Sequence, residues 1–344
     1  KGSLFVAVLF VSVIFGAATG IVGASVTILG IMSAKTMNRA GYDVQLAAGT
    51  ITAGGTLGIL IPPSIMLVVM GPILNVPVTD LFAAAIMPGL MLAALYTGYT
   101  LIRCHLNPSL GPVVPEDLIP DSMREVWIEF FKGLVPPVLL VGSSLGSILA
   151  GLATPTEGAA MGAVGAIFLT LAYRKLNFKV FQEALLKTLE ITTLIMILVC
   201  ASNFFGSVFS RLGTPTMITE ALMLLDLPPT AILLIVMALI FLLAWPLEWV
   251  PIVLIIIPIV LPLIEQLGFN LTWFGILVAV NLQTAWLSPP VALSAYFLKG
   301  VAPDWDLSDI YKGMMQFMAI QVVGLALIII FPQIVLWLPT YLYG

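Results

Sequence analysis

Nine apolar runs, near residues 4–33, 45–73, 80–103, 134–151, 157–173, 189–209, 229–264, 271–298 and 314–340, fill most of the chain. Each reaches the roughly 17 to 25 residues a helix needs to cross a hydrocarbon core. A water-soluble fold fails on composition, since 60% of the side chains are hydrophobic and only 9% are charged, where soluble domains carry roughly a quarter. Runs this long satisfy their backbone groups in lipid as helices, so the fold class is an all-α membrane protein. No stretch remains for a separate soluble domain of ordinary size.

The other residue types narrow the chemistry. Cys104 and Cys200 stand singly in apolar runs and His105 is the sole histidine, so metal, haem and disulfide chemistry lack ligands. No paired acids or His motifs supply a nucleophile and base, which argues against an enzyme, and no basic stripe invites nucleic acid. The 29 glycines and 24 prolines exceed what a plain bundle needs. They predict broken helices and re-entrant turns lining protein or water-filled cavities, as in transporters. The chain opens on Lys1-Gly2-Ser3 and enters an apolar run at once, reading as a fragment or processed piece.

Two runs are too long and too interrupted to be single spans. The run 4–33 carries Gly16, Thr19, Gly20, Gly23 and Ser25 at its middle, and the run 229–264 carries Trp245-Pro246-Leu247-Glu248-Trp249-Val250-Pro251. Both read as re-entrant hairpins whose arms enter to about half depth. With the first hairpin starting and ending in the cytoplasm, every Lys and Arg except Arg211 falls on the cytoplasmic side. The second hairpin, flanked by Asp226 and Glu265, then enters from the opposite face. A displacement of 227 residues carries Gly41-Tyr42-Asp43 onto Gly268-Phe269-Asn270 and Leu60-Ile61-Pro62-Pro63 onto Leu287-Ser288-Pro289-Pro290. Two copies entering from opposite faces form an inverted repeat.

The helix after each hairpin is interrupted, by Gly54, Gly55, Gly58 and the pair Pro62-Pro63 in one copy and by Pro289-Pro290 in the other. A proline pair removes two backbone donors and blocks the preceding turn. The carbonyl end of one half-helix then favours a cation, and the amide end of the next an anion. A hairpin tip against such a break makes an oxygen cage suited to sodium. The first sodium site is expected from Thr19, Gly20, Gly23, Ser25, Gly55, Thr56 and Pro62. The second is expected from Glu248, Asn281, Gln283, Thr284 and Ser288. Thr19, Gly54, Ser64, Thr154, Thr156, Pro246 and Trp286 are the candidates for solute. Thr154-Pro155-Thr156-Glu157 reads equally as a capped helix start, and Trp286 as packing. The segments 122–132 and 177–190 are amphipathic and are expected along the interface with membrane lipid; Asn107–Asp121, with four prolines, reads as an extended connector.

In the segments 15–32 (FGAATGIVGASVTILGIM), 39–65 with GGTLGILIPPSI, 151–163 (GLATPTEGAAMGA) and 247–297, the sequence resembles the DctM-type large membrane subunit of tripartite ATP-independent periplasmic (TRAP) transporters. The resemblance covers nearly the whole chain, and it implies an absent N-terminal part. It departs at Ile21-Val22, where the family is often serine-rich, at Glu248, where aspartate is usual, and at Ser288, where threonine is common.

The resemblance implies an elevator-type, sodium-coupled importer of organic acids such as C4-dicarboxylates or sialic acid, multi-pass in the bacterial inner membrane. It would work with a small TRAP membrane subunit and a periplasmic substrate-binding protein. A stand-alone sodium-coupled anion carrier or ion exchanger of related inverted-repeat fold is the alternative. The division expected is a first hairpin and broken helix at 1–73 and connecting and scaffold helices at 74–150. Leading helices of the second repeat follow at 151–228, its hairpin and broken helix at 229–300, and a C-terminal helix at 301–344.

Overall fold

The computed structural model describes residues 1–115 and 122–344, and all regular structure among them is helical. The first helical hairpin joins α1 (Ser3–Thr19) to α2 (Val22–Arg39) through Gly20 and Ile21. Gly20 ends α1 at φ 61° with its N–H on the Gly16 carbonyl, a left-handed cap that side-chain-bearing residues rarely adopt. The arms are 17 and 18 residues long, roughly 26 Å at 1.5 Å per residue. The second arm continues helically through the polar stretch 33–39 that follows the apolar run.

Next comes α3 (Val44–Thr56), capped by Asp43, whose carboxylate accepts from the Leu46 N–H at 2.8 Å. A 3₁₀ turn over Leu57–Ile59 and the pair Pro62-Pro63 separate it from α4 (Ile65–Leu74). After α5 (Val78–Leu106) the connector begins with a 3₁₀ turn at Pro108–Leu110. The Leu110 carbonyl accepts from the Asp43 N–H and the Gly111 carbonyl from the Gly2 N–H, so the connector starts pinned to the first hairpin. Its stretch 116–121 lies outside the described residues.

The middle of the chain holds α6 (Met123–Leu149), α7 (Pro155–Ala172), α8 (Phe178–Arg211) and α9 (Thr214–Met223). The two amphipathic segments expected to lie apart along the interface are instead the leading parts of α6 and of the 34-residue α8. In α8 no Pro or Gly separates the segment from the apolar turns that follow, and in α6 the helix runs on through Gly133, Pro136 and Pro137. The α8 apolar face is uncovered by protein, with Leu194, Ile197 and Phe204 all exposed.

In the second hairpin, α10 (Pro229–Ala244) meets a returning arm, α11 (Trp249–Pro251), a π-turn over Ile252–Ile256 and α12 (Ile257–Gln266). Then α13 (Leu271–Gln283), capped by Asn270, passes through a 3₁₀ turn at Thr284–Trp286 and Pro289-Pro290 to α14 (Leu293–Val301). The C-terminal segment is two helices rather than one: α15 (Leu307–Ile330) and α16 (Gln333–Tyr343) part at Phe331-Pro332, where Pro332 has no N–H to continue the ladder. Six helices, α5, α6, α7, α8, the arm Trp249–Gln266 and α15, are long and apolar enough to cross a membrane.

The displacement of 227 residues found in the sequence carries the bounds of α3 onto those of α13, one 3₁₀ turn onto the other, and the Asp43 cap onto Asn270. Contacts between the copies are reciprocal: α2 packs on α14 and α12 on α4, α3 on α15 and α13 on α5. Small residues allow the closest approaches. A methyl on Gly49 would strike the Gly313 carbonyl and Phe317, and one on Gly313 the Gln45 carbonyl, so α3 and α15 lie backbone to backbone.

Candidate ion and solute site

Each hairpin tip meets the break of its own copy. At the first, Gly16 and Gly58 touch through their backbones, since a Cβ on Gly16 would stand 2.9 Å from the Gly58 Cα. The Ser25 hydroxyl lies over Gly58, 3.1 Å from where its Cβ would be, and 2.5 Å from the Thr19 hydroxyl. A Cβ on Gly20 would sit 3.3 Å from the Pro63 carbonyl oxygen. The Thr19 hydroxyl also donates to the Phe15 carbonyl at 3.0 Å, so the Thr19 and Ser25 hydroxyls lie beside Gly58 while Gly20 lies beside the Pro63 carbonyl, oxygens of the type a hard monovalent cation takes.

The remaining first-site candidates, and the solute candidates Gly54 and Ser64, have the following neighbours. Gly23 packs on the Phe297 ring, Gly55 on Val26 and Gly54 on Ser12. Thr56 donates to the Ala53 carbonyl at 2.8 Å and accepts from Gln321. Pro62 borders an apolar cavity of ≈270 Å³ with Ile61, Ile86 and Pro137. The Ser64 hydroxyl caps α4, donating to the Ile59 carbonyl and accepting from the Leu67 N–H.

At the second break, Pro246, Leu247 and Glu248 of the tip face Ala285, Trp286, Val291 and Leu293 across a cavity of ≈190 Å³. Of the residues expected here, Glu248, Pro246 and Trp286 line it. The remaining polar set does not converge on Glu248. Asn281 donates to the Met237 carbonyl at 2.8 Å, Thr284 to the Asn281 carbonyl at 2.6 Å, and Ser288 to the Thr284 carbonyl at 2.6 Å. Gln283 meets Gln321.

The two breaks differ in one respect. Where Ser64 caps α4, α14 starts at Ala292 with no side-chain cap. Its first-turn Ser294 is buried with an unpartnered hydroxyl, and the Trp286 indole N–H is buried without an acceptor. Uncapped amides at the start of α14 and the Trp286 indole N–H beside one small cavity favour an anionic group. Sequence reasoning proposed Trp286 but missed the open start of α14, because nothing in the residues around Ala292 signals a missing cap.

Thr154 is committed to a capping box, accepting from the Glu157 N–H at 3.3 Å while the Glu157 carboxylate accepts from the Thr154 N–H at 2.8 Å. Thr154 is the N-cap of α7 and Thr156 lies in its first turn. Arg211 lines a polar cleft of ≈600 Å³ with Asn203, Ser207 and Ser210 of α8 and Pro258 and Pro262 of α12. Among the described residues no group of three His, Cys, Asp or Glu side chains could hold a metal ion.

Broken helices with tips against the breaks, on six membrane-length helices, define a multi-pass membrane permease. The comparison with known proteins makes this specific. Residues 1–334 match the family described as tripartite ATP-independent periplasmic transporter, DctM component, and the chain belongs to that family. It is 29% identical over 345 residues to the C4-dicarboxylate TRAP transporter large permease protein DctM of Pseudomonas aeruginosa, covering 99% of this chain and 78% of that protein. It is 28% identical over 346 residues to the sialic acid large permease SiaM of Vibrio cholerae, covering 100% and 79%. It is 26% identical over 334 residues to the sialic acid permease SiaT of Haemophilus influenzae, covering 96% of this chain. The chain spans only about half, 53%, of SiaT. These relatives are transport permeases and not enzymes.

Proposed function

We propose that this chain is the solute-translocating part of a sodium-coupled importer of carboxylate-bearing organic anions in the bacterial inner membrane. The observation that carries the reading is the second cavity, where an acid on the hairpin tip faces the uncapped amide end of α14. Without a cation, the Glu248 carboxylate repels an anionic guest at close range. Sodium held between Glu248 and the carbonyls of the Thr284–Trp286 turn removes that repulsion, and the solute carboxylate then takes the α14 amides and the Trp286 indole N–H. The first tip binds sodium through the Thr19 and Ser25 hydroxyls and the Pro63 carbonyl, where its own amide end is closed by Ser64.

Sodium thereby raises solute affinity, which is the differential binding that coupling requires. The two copies form an inverted repeat, and both hairpins with their broken helices move as one elevator body against α6–α8. The uncovered apolar faces of α6–α8 are met by lipid and by a small TRAP membrane subunit, and a periplasmic binding protein delivers solute. Relatives named for sialic acid and for C4-dicarboxylates support the carboxylate class.

The test is uptake into liposomes by the whole transporter with its partner subunits, using labelled sialic acid and succinate. Accumulation with an inward sodium gradient and none with choline supports the reading; equal accumulation in both removes the coupling. Accumulation that persists when the binding protein is omitted would remove the three-part assembly.

A further inference from the structure

Gln321 lies on α15, outside every element assigned to ion or solute binding, and is fully buried. Its amide nitrogen donates to two acceptors: the Thr56 hydroxyl at 3.2 Å and the Gln283 side-chain oxygen at 3.4 Å. Those acceptors are the last residues of α3 and α13, and the 227-residue displacement carries one onto the other. A single amide therefore holds the carbonyl ends of both broken helices, from a helix packed against both.

Both contacts are near the outer limit of a hydrogen bond, so movement of either half-helix end away from α15 breaks one of them. The Gln321 oxygen, the Gln283 amide nitrogen and the Tyr96 hydroxyl are all buried without partners. Thr56 also donates into the last turn of α3, so its hydroxyl ties the Gln321 contact to the turn that precedes the break.

We propose that Gln321 is a positioning residue that couples the two helix breaks, so that closing one sodium cage favours closing the other. The inference rests on the sodium reading above and adds cooperativity to it. Coupling between sites typically amounts to roughly 5- to 150-fold in affinity.

The experiment titrates NaCl into the purified intact transporter at constant ionic strength with choline chloride, reading intrinsic tryptophan fluorescence. Trp245, Trp249 and Trp286 stand at the second tip and break. The native protein is expected to respond with a Hill slope above 1. Gln321→Met keeps the length and removes the donor, and is expected to bring the slope to about 1 and raise half-saturation. A role confined to packing would alter thermal stability and leave the slope in place, so a native slope in Gln321→Met overturns the proposal.

Should Gln321→Met fail to reach the membrane, Thr56→Val and Gln283→Met each remove one acceptor. Both must flatten the titration, and a steep response in either overturns the proposal. A native response of slope 1 overturns the coupling alone, whereas no sodium response overturns the coupling and the sodium reading together.

Discussion

The contact between Gly16 and Gly58 can be tested with one methyl group. In Gly16→Ala the new carbon would stand 2.9 Å from the Gly58 Cα and 3.0 Å from its nitrogen, where carbon contacts settle at about 3.5–4.0 Å. Tip and break must then part by roughly 0.6–1 Å. Overpacking of this sort costs about 1–3 kcal/mol, and here the opposing atoms are backbone and cannot rotate away. Replacing glycine inside a helix returns about 0.5–1 kcal/mol. The net destabilisation of the closed tip is about 0.5–2 kcal/mol, a factor of about 2–30 in its population. Sodium half-saturation, read by tryptophan fluorescence, should rise by that factor. The control is Gly98→Ala, where the added carbon meets nothing within 4 Å and half-saturation should not move. A folded Gly16→Ala protein with native half-saturation would show that sodium binding does not need this contact, and would refute the cage at the first break.

Four further outcomes are expected. Glu248→Gln should weaken the sodium dependence of uptake more than Glu157→Gln, whose carboxylate serves a helix start; the reverse order in the same assay would show that the tip acid is not the coupling group. Trp286→Phe removes a buried donor that has no protein acceptor. It should leave thermal stability unchanged or raised while lowering solute affinity about 10-fold, as loss of a ligand hydrogen bond of about 1–1.5 kcal/mol implies; native affinity would exclude the indole from the solute site. Ser25→Ala should raise sodium half-saturation without altering solute affinity at saturating sodium, checked by uptake at both salt limits. Thr154→Ala should lower the thermal midpoint through loss of a cap, about 1 kcal/mol, and leave uptake half-saturation within about twofold; a larger uptake defect would return Thr154 to the solute site.

The parts of this fold legible in the sequence were those written in one dimension. Apolar runs located the helices, Gly20 and the Trp245–Glu248 stretch marked the tips, and Pro62-Pro63 and Pro289-Pro290 marked the breaks. The repeat offset proved to be the structural one because caps such as Asp43 and Asn270 act on their own first turns. What escaped was either local continuity or long-range proximity. The leading turns of α6 and α8 carry charges that read as a separate interfacial segment, yet nothing in them stops a helix. The short α9 has too few apolar residues to register as a run, and the π-turn Ile252–Ile256 between Pro251 and Pro258 leaves no mark in the apolar pattern. Gln321 is 265 positions from Thr56, and one amide in an apolar helix resembles the ordinary interhelical hydrogen bonding of membrane bundles. Clustering of Asn281, Thr284 and Ser288 in sequence suggested liganding, but in space their side chains are spent on backbone carbonyls.

The unequal treatment of the two half-helix starts has a consequence for stoichiometry. Near-copies of one motif ought to offer a negatively charged guest two equivalent berths, yet a serine hydroxyl occupies the leading amide of α4 while that of α14 stands open. If the solute binds as proposed, the scaffolding is doubled while the anion berth is single, and one carboxylate per turnover is the expected stoichiometry.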